Sequence, residues 1–473
     1  MSAGHASTAQ QETTPTEDLV GIGFGPANLA LAIAIAEHNG QSAPGRAISS
    51  AFVERQSAFG WHPGMLLEGA TMQVSFLKDL ATMRDPGSRF TFLRYLHDRG
   101  RLADFINQKS FFPTRVEFHD YLGWCAERFT DRVAYGRDAV AVRAVERGGL
   151  VESFDVVTRP SGGGAGNERV VRARNIALGT GLRPQLPEGV VAGEHVWHNR
   201  DLLFRAPRLT HRPHRRFTVV GAGQSAAETA EYLYRAFPDA QVCAVFTRYG
   251  YSPADDSPFA NRIFDPGAVD DFYDAPEEVK RALLDYHGNT NYSVVDGELI
   301  DQLYRTVYQE KVAGTERLRV LNTTALTGVE EIAGGARAVV HSLTTGERTA
   351  LDCDAVVLAT GYRPRDPREL LGPLADACLT DGQGRLRIDR DHRLRMADGV
   401  RAGVYLQGAG TEHTHGITSS LLSTLAVRSG EIRDSLLLRR AGSEELDRLA
   451  DELDDGPDGP LSTAARGVAA HTG

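Results

Sequence analysis

Two glycine-rich segments, about 200 residues apart, have the residue types and spacing of phosphate-binding turns. Each follows a short apolar run and opens a long helical pattern, which is the context that separates a dinucleotide fingerprint from a chance match. Backbone N–H groups in such a turn face phosphate oxygens, and the helix dipole adds to the attraction. Two turns therefore predict two dinucleotides with redox chemistry between them, although a tight strand–helix turn that binds nothing is the alternative. The segments are Gly21-Ile-Gly23-Phe-Gly25-Pro26-Ala-Asn28 and Gly221-Ala-Gly223-Gln224-Ser225-Ala-Ala-Glu228.

The residue that ends the second strand of each unit indicates which nucleotide is held. Glu54 ends the predicted strand 51–54 and can accept a hydrogen bond from a ribose hydroxyl, although its distance from the glycines exceeds the usual ~20 residues. Arg248 follows the predicted strand 241–246, and a guanidinium pairs with a 2′-phosphate through two hydrogen bonds. The second cofactor is therefore predicted to be NADPH rather than NADH. A solvated surface arginine is the alternative.

Other polar residues allow more than one interpretation. Asn261 and Asn291 carry amides that suit an amino-acid head group, because amides both donate and accept, but they suit turn capping as well. Lys78 could bind a carboxylate or simply be solvated. His413 and His415 form a weak His-x-His metal signal, and with no further His or Cys cluster nearby we favour a polar loop beside a flavin and predict no metal.

Composition excludes several classes of function. The chain has 473 residues and a formal net charge of −10 without a long basic run, so nucleic acid is not an expected partner. No stretch reaches the roughly 18 apolar residues of a membrane span, and no signal peptide is recognised. The four cysteines contain no C-x-x-C pair, which predicts a reduced, cytoplasmic protein. G-x-S-x-G and zinc-protease patterns are also missing, so the chemistry is expected to belong to the cofactors.

The elements that must position these residues predict an α/β fold with two Rossmann-like dinucleotide-binding domains and a small, mostly helical substrate-binding insertion. Predicted elements include strands 19–22, 216–220 and 318–321, a helix from the first glycine turn to about 37, and a helix over 421–435. The predicted divisions are a disordered N-terminus 1–16, a first domain 17–206, a second domain 207–366 with the insertion 249–312, a return to the first domain over 367–440, and a disordered acidic tail 441–473.

Taken together, these motifs resemble the microbial N-hydroxylating flavin monooxygenases, and most closely the L-ornithine N5-monooxygenases of siderophore biosynthesis. The resemblance covers about residues 17–436. The F-x-G-x-x-x-H signature of related flavin monooxygenases is degenerate here, at 191–198, which fits the N-hydroxylating branch. Besides the two glycine segments, the resemblance depends on Met72-Gln73-Val-Ser-Phe-Leu-Lys78-Asp-Leu80, Asp256-Ser-Pro-Phe-Ala-Asn261, Thr290-Asn291-Tyr292-Ser-Val-Val295, 354–367, and Thr414-His-Gly416 with Leu421-Leu-Ser423.

The resemblance also implies roles for individual residues. FAD is expected beside Gly21, Gly23, Gly25, Pro26, Asn28, Glu54, Gln73, His413 and Gly416. NADPH is expected beside Gly221, Gly223, Gln224, Ser225 and Arg248, with Tyr292 bordering the nicotinamide. Lys78 is expected to pair with the substrate carboxylate, and Asn261, Asn291 and Ser423 are expected to fix the rest of the amino acid.

The implied reaction consumes NADPH and O2. NADPH reduces FAD, the reduced flavin captures O2 as a C4a-hydroperoxide, and the neutral terminal amine of L-ornithine becomes a hydroxylamine for a hydroxamate siderophore or a related natural product. L-lysine or a diamine such as putrescine is the alternative substrate, and a flavin disulfide reductase or a flavoprotein sensor is the alternative type of protein. The resemblance further implies a homo-oligomer, with the tetramer as a common state of the family.

Overall fold

The computed structural model describes residues 15–43, 45–163, 167–209, 215–290 and 292–454, with backbone alone at 289 and 443–454. The predicted N-terminal tail therefore lies outside the described residues except for its last two, and Thr16 already belongs to the first strand. The part of the predicted acidic tail beyond 454 also lies outside them.

Strands and helices alternate through most of the described chain. The strands are β1 Thr16–Ile22, β2 Ser50–Val53, β3 Val133–Ala134, β4 Arg137–Arg147, β5 Leu150–Pro160, β6 Arg169–Leu178, β7 Leu182–Pro184, β8 Val196–His198, β9 Arg216–Val220, β10 Gln241–Val245, β11 Leu318–Leu321, β12 Thr324–Ile332, β13 Gly335–Ser342, β14 Arg348–Cys353, β15 Ala355–Leu358, β16 Tyr362–Pro364 and β17 Gly403–Leu406. The helices are α1 Pro26–Gln41, α2 Phe92–Asp98, α3 Leu102–Gln108, α4 Arg115–Ala126, α5 Leu202–Arg205, α6 Gln224–Ala236, α7 Pro266–Asp274, α8 Glu277–His287, α9 Gly297–Ala313, α10 Arg368–Leu371, α11 Glu412–His415 and α12 Leu425–Asp454.

The first unit is a seven-stranded sheet with β1 near its centre. Strands β3, β2, β1 and β6 are parallel neighbours, β17 also pairs with β6 in parallel, and the antiparallel β5 and β4 extend the sheet. Parallel pairing of β1 with β2 requires a crossover, which α1 supplies. Every residue of α1 from 28 to 35 is buried, and α1 packs against α12. This accounts for its apolar composition on all sides.

The second unit is a five-stranded parallel sheet in the order β11, β10, β9, β15, β8. Helix α6 crosses from β9 to β10, and the alanines and Leu233 on its inner face are fully buried. A three-stranded antiparallel sheet, β12 to β14, follows β11. The predicted α/β fold with two Rossmann-like units is confirmed by this topology.

The predicted insertion contains helices of two kinds. Helices α7 and α8 interrupt the alternation of the second unit, as expected. Helix α9 packs against α6, and Leu303 on α9 belongs to the same buried cluster as the second sheet. It thus connects β10 to β11 as an ordinary crossover helix, because parallel strands need such a connection. The interruption proper therefore ends before Gly297, whereas the domain boundaries themselves stay a prediction.

The chain passes between the two units at two places that lie side by side. Strand β7 leaves the first unit just after β6, and strand β16 returns just after β15. The two strands pair in antiparallel register, with Arg183 opposite Arg363. The segment between them thus begins and ends at one short ribbon.

The C-terminal helix differs from its prediction at both ends. The backbone of Leu421 is extended, with φ −100° and ψ 163°, so α12 begins only at Leu425. The helix continues to Asp454, and the predicted disorder from 441 is wrong as far as this residue. Leu446, Leu449 and Leu453 recur at spacings of three and four, a helical period that the acidic composition of the segment concealed. In the described part of the chain, no helix is long and apolar enough to cross a membrane.

Candidate functional site

Two of the three glycines in the first turn, Gly21 and Gly23, have no room for a side chain. Gly23 has φ +84°, and a Cβ atom there would lie 2.4 Å from the carbonyl oxygen of Gly179. A Cβ atom at Gly21 would lie 2.3 Å from the Phe52 ring, whereas one at Gly25 would meet open space. Gly21 and Gly23 are thus required by the fold, and Gly25 stands at the face of the turn that a ligand could approach.

Helix α1 begins at this turn without a side-chain cap. Gly25 is its N-cap residue, Pro26 occupies the first turn, and that turn carries no acidic residue. By contrast, α4 is capped by Thr114 and has Glu117 in its first turn. A helix N-terminus without a side-chain cap and without an acidic residue in its first turn retains its attraction for phosphate.

Asn28 and Glu54 support the first turn from two sides. Asn28 is fully buried, donates to the carbonyl oxygens of Ile22, Gly23 and Ala177, and accepts from Gln407 Nε2 at 2.7 Å. It therefore holds the turn from beneath, and its predicted contact with FAD stays a prediction. The Glu54 carboxylate accepts from the backbone N–H of Phe24 at 2.7 Å, which places it beside the turn as the ribose prediction requires.

The second glycine turn also leads into a helix without a side-chain cap. Gly221 has φ +142°, and a Cβ atom there would lie 2.2 Å from the carbonyl oxygen of Ala359. Gly223 is the uncapped N-cap residue of α6, whose first turn also lacks acidic residues. Ser225, predicted to contact NADPH, lies in that first turn and is partly exposed. Both helix N-termini thus offer the arrangement that favours a pyrophosphate.

Gln224 has a structural part that the sequence analysis did not anticipate. Its Nε2 donates to Glu228 Oε1 at 2.8 Å, and its Oε1 accepts from the backbone N–H of Asp296 at 2.8 Å. The side chain thus ties the glycine turn to the end of the insertion. Its predicted contact with NADPH stays a prediction.

Arg248 is exposed three residues after the end of β10, beside a cleft of about 700 Å³. Its Nη1 donates to the carbonyl oxygen of Ser293 at 2.7 Å. A guanidinium has five N–H donors, so this bond leaves donors for a phosphate. Residues 252–255, Asp285, Gly288, Tyr292 and Ser293 line the rest of the cleft.

Lys78 and Asn261 are brought towards each other from distant parts of the sequence. Lys78 is half-buried, with its Nζ 5.7 Å from the centre of the Phe264 ring, in the 3-10 helix that also contains Asn261. Burial lowers the pKa of Lys78, and the charge of Asp265 opposes that shift. Within the described ranges, no carboxylate forms an ion pair with its amine. The Lys78 amine can therefore form an ion pair with the carboxylate of a ligand.

The remaining predicted substrate residues differ in what the structure shows. Asn261 Nδ2 donates to the carbonyl oxygen of Asp256 at 2.8 Å, which is the turn-capping alternative and uses one of its donors. Ser423 is 2% exposed, and its hydroxyl has no hydrogen-bond partner among the described residues. Gln73 is exposed beside the buried Met72. Asn291 lies outside the described residues, so its role stays a prediction.

The segment 411–416 was predicted to be a polar loop, but residues 412–415 form helix α11. The segment follows the carboxyl end of β17, which is the same end of the first sheet as the first glycine turn. Gly416 has φ +78°, and a Cβ atom there would lie 3.2 Å from the Phe272 ring of α7. His413 Nε2 lies 2.8 Å from the carbonyl oxygen of Leu386, so a hydrogen bond to Leu386 holds this ring in place. The loop thus connects the first unit to the insertion.

His415 stacks on His392, with ring centres 4.1 Å apart, in a buried polar cluster. His392 contacts Glu431, which also accepts two hydrogen bonds from Arg390. Burial lowers the pKa of His392 to about 4, and burial together with the charge of His392 lowers that of His415 to about 2. An adjoining cavity of about 10 Å³ is too small for an amino acid. In the part of the chain that the structure describes, no three His, Cys, Asp or Glu side chains form a metal-binding group.

These histidines predict a loss of stability in acid. The unfolded chain takes up a proton at His392 as the pH falls below 6.5, but the folded chain does so only near 4. The stabilisation is therefore present above pH 6.5 and is lost between 6.5 and 4, by about 3 kcal/mol for this residue. His392→Asn, which suits the left-handed backbone at φ +67°, should flatten the pH dependence of the unfolding free energy. The surface variant His97→Asn should leave it unchanged.

Two contacts in this region join distant segments and could not be read from the sequence. Arg115 on α4 donates two hydrogen bonds, at 2.7 and 2.8 Å, to Glu228 on α6. Tyr292 donates its hydroxyl proton to Glu412 Oε1 at 2.8 Å. The partners are 113 and 120 residues apart, and no local pattern marks either pair.

Each of the four cysteines is unpaired, so a redox-active disulfide is not formed.

Known proteins share both the sequence and the fold. Residues 15–364 match the model of the L-lysine 6-monooxygenase/L-ornithine 5-monooxygenase family. The L-ornithine N(5)-monooxygenase of Burkholderia cepacia is 42% identical over 426 residues, which cover 88% of this chain and 94% of that protein. The ornithine N-hydroxylase of Kutzneria sp. 744 superposes with a TM-score of 0.85 at 49% identity, over 90% of this chain and 100% of that one. The L-lysine 6-monooxygenase of Pseudomonas syringae gives 0.77 at 30% identity, over 89% and 99%. The chain therefore belongs to the L-lysine 6-monooxygenase/L-ornithine 5-monooxygenase family, as the motifs predicted.

Proposed function

We propose that this protein is a monooxygenase that uses FAD, NADPH and O2 to hydroxylate the terminal amine of L-ornithine. The observation that carries the proposal is the pair of uncapped glycine turns, each at the carboxyl end of a parallel strand and each with a second strand-end residue suited to its nucleotide. The Kutzneria structure is of the enzyme with reduced FAD, NADP+ and L-ornithine, which supports the same set of ligands here.

The residues fit both dinucleotides. Open space at Gly25 admits a pyrophosphate at the first turn, and the neighbouring Glu54 carboxylate can accept from a ribose. Gly223 and Arg248 offer the matching donors at the second. When bound, FAD and NADPH would supply the two electrons and the activation of O2 by which the amine, NADPH, a proton and O2 become the hydroxylamine, NADP+ and water.

The chain itself must orient the amino acid and favour its neutral amine. Lys78 is the cation for the substrate carboxylate, and the Asn261 amide and the unpartnered hydroxyl of Ser423 are uncharged groups for the rest of the molecule. An amine with a pKa of ~10.4 reacts only after it has lost its proton. Uncharged neighbours do not oppose that loss, whereas a nearby carboxylate would. No side chain needs to act as a nucleophile.

Lys78→Ala tests the substrate assignment. We expect KM for L-ornithine to rise about 10- to 100-fold with a smaller change in kcat, because a charge-assisted pair with the carboxylate is lost. Hydroxylamine product should be measured with L-ornithine, L-lysine and putrescine side by side, using FAD-loaded protein. Lys311→Ala, an exposed lysine on α9, is the control. An unchanged KM would remove Lys78 from the site, and NADPH oxidation that is equally fast without any amine would refute the monooxygenase itself.

Arg248→Ala tests the choice of coenzyme. Loss of the guanidinium should raise KM for NADPH about 10-fold or more and leave KM for NADH nearly unchanged, because only NADPH carries the 2′-phosphate. Initial rates with both coenzymes measure this preference, and Arg94→Ala, at a half-exposed arginine on α2, is the control. Equal effects on both coenzymes would show that Arg248 acts on the fold of the cleft instead.

We propose L-ornithine rather than L-lysine as the substrate because the Kutzneria ornithine N-hydroxylase is more similar to this chain than the Pseudomonas syringae L-lysine 6-monooxygenase is, at 49% against 30% identity. Hydroxamate siderophore assembly is the use of the product that the resemblance implies. We also propose a cytoplasmic location, which the four unpaired cysteines support because a reducing compartment keeps thiols free. The homo-oligomer stays a prediction.

A further inference from the structure

One hydrogen bond joins the insertion to the loop that follows β17. The Tyr292 hydroxyl donates to Glu412 Oε1 at 2.8 Å, across 120 residues of sequence. Tyr292 is 43% exposed, so the bond lies at the surface of a cleft rather than in a core. Its two ends belong to different nucleotide sites, so the bond matters beyond its own modest strength.

Glu412 stands at the carboxyl edge of the first sheet. It begins α11, six residues after β17 ends at Leu406. Gln407 fastens the start of this loop, since its backbone N–H donates to Leu178 and its side chain donates to Asn28 beneath the first glycine turn. The carboxylate thus belongs to the edge where an α/β sheet binds its ligand.

Tyr292 stands at the second nucleotide site. Its neighbour Ser293 lies against the second glycine turn, where a Cβ atom at Gly223 would be 3.3 Å from Ser293 Cα. Ser293 adopts φ +57° and accepts from Arg248 at 2.7 Å. The segment 292–293 is therefore fixed to the second unit, and the Tyr292 hydroxyl extends from it to the first.

The surroundings of Glu412 strengthen this bond. Burial raises the pKa of the Glu412 carboxyl, and the hydrogen bond from Tyr292 opposes that shift. A carboxyl partly withdrawn from water gains more from each donor than an exposed one does. Within the described residues, Tyr292 is its hydrogen-bond donor from the insertion.

We propose that Glu412 is a positioning residue that holds Tyr292 across the gap between the two nucleotide sites. The bond keeps segment 292–293 over the second glycine turn and narrows the access of water between the flavin and the nicotinamide. This inference rests on the proposed function, since it assumes that FAD and NADPH occupy the two turns. It gives Glu412, which no motif singled out, a part in retaining NADP+ and in coupling NADPH oxidation to hydroxylation.

Four variants of the FAD-loaded protein test the proposal: Glu412→Ala, Glu412→Gln, Tyr292→Phe and the double variant Glu412→Ala/Tyr292→Phe. The dissociation constant for NADP+ by calorimetry and the hydroxyornithine formed per NADPH are measured for each. Loss of the bond should weaken NADP+ binding and lower coupling about 3- to 10-fold. The double variant should be no worse than either single one, and Glu412→Gln, which keeps an acceptor oxygen, should stay near wild type. Tyr304→Phe, on the exposed face of α9, is the control.

Three outcomes overturn the positioning role. These are wild-type NADP+ affinity in Glu412→Ala, additive effects in the double variant, and a loss in Glu412→Gln equal to that in Glu412→Ala. If wild-type protein binds NADP+ but forms no hydroxyornithine, the proposed function fails, while the NADP+ affinities still decide for or against Glu412.

Discussion

Gly23→Ala is expected to abolish retention of FAD during purification. The residue has φ +84°, which costs a non-glycine residue about 1–3 kcal/mol, and the new Cβ atom would lie 2.4 Å from the carbonyl oxygen of Gly179. Relief of that contact must move backbone on one side or the other, since no flexible side chain is involved. The turn would then lose the alignment of its N–H groups, and FAD affinity should fall by more than about 10-fold. The flavin-to-protein ratio and the thermal unfolding midpoint measure both consequences.

Substitutions at two further glycines distinguish an effect on folding from an effect on FAD binding. Gly25→Ala adds a Cβ atom in open space, so the protein should fold normally and lose FAD affinity alone if a pyrophosphate occupies that space. Gly382→Ala, at an exposed turn with open space, should change neither quantity. A Gly23→Ala protein with a full complement of FAD would disprove the account of the first turn.

Glu228→Gln should give the second large effect, a loss of about 3–5 kcal/mol in the free energy of unfolding. The Glu228 side chain is 6% exposed and the Arg115 side chain 18% exposed, so the substitution leaves a guanidinium mostly out of water and opposite an amide N–H2. It also disturbs Gln224, which donates to the same carboxylate. Because α4 and α6 belong to different units, the pair helps to fix one unit against the other.

An exposed pair with similar geometry provides the control for Glu228. Arg337 donates two hydrogen bonds to Asp352, but these side chains are 40% and 58% exposed. Asp352→Asn should shift the denaturant midpoint very little, since solvent screens such pairs. Midpoints followed by circular dichroism compare the two variants directly. Equal shifts would mean that burial does not decide the strength of the Arg115–Glu228 pair.

Local signals were sufficient to predict much of the fold. Strands β9 and β11 have their predicted bounds, because each is a short, mostly apolar segment that ends at a glycine or a polar residue. The glycine turns were recognised for the same reason, since their conformation is set by residues within one strand–helix unit. Composition was less reliable than periodicity, as the helical continuation to Asp454 demonstrates.

The parts that sequence reasoning missed depend on contacts between distant residues. The amide of Asn28 is used by carbonyls of its own turn and by Gln407, 379 residues away, a role that its place in the glycine motif did not indicate. Gln224 is occupied by Glu228 and by Asp296, 72 residues away. Such partners have no spacing rule, so the residue type alone predicts a polar role and not the recipient of the hydrogen bond.

The antiparallel ribbon of β7 and β16 brings together the two ends of the chain segment that lies between these strands. The segment 185–361 contains the whole five-stranded sheet, yet it enters and leaves through neighbouring strands, which lie about 5 Å apart. Cutting the chain after β7 and before β16 would therefore remove this segment, and a short hairpin could join β7 directly to β16. The first sheet is therefore built from chain on both sides of the segment, since β6 precedes it, β17 follows it, and the two strands pair in parallel.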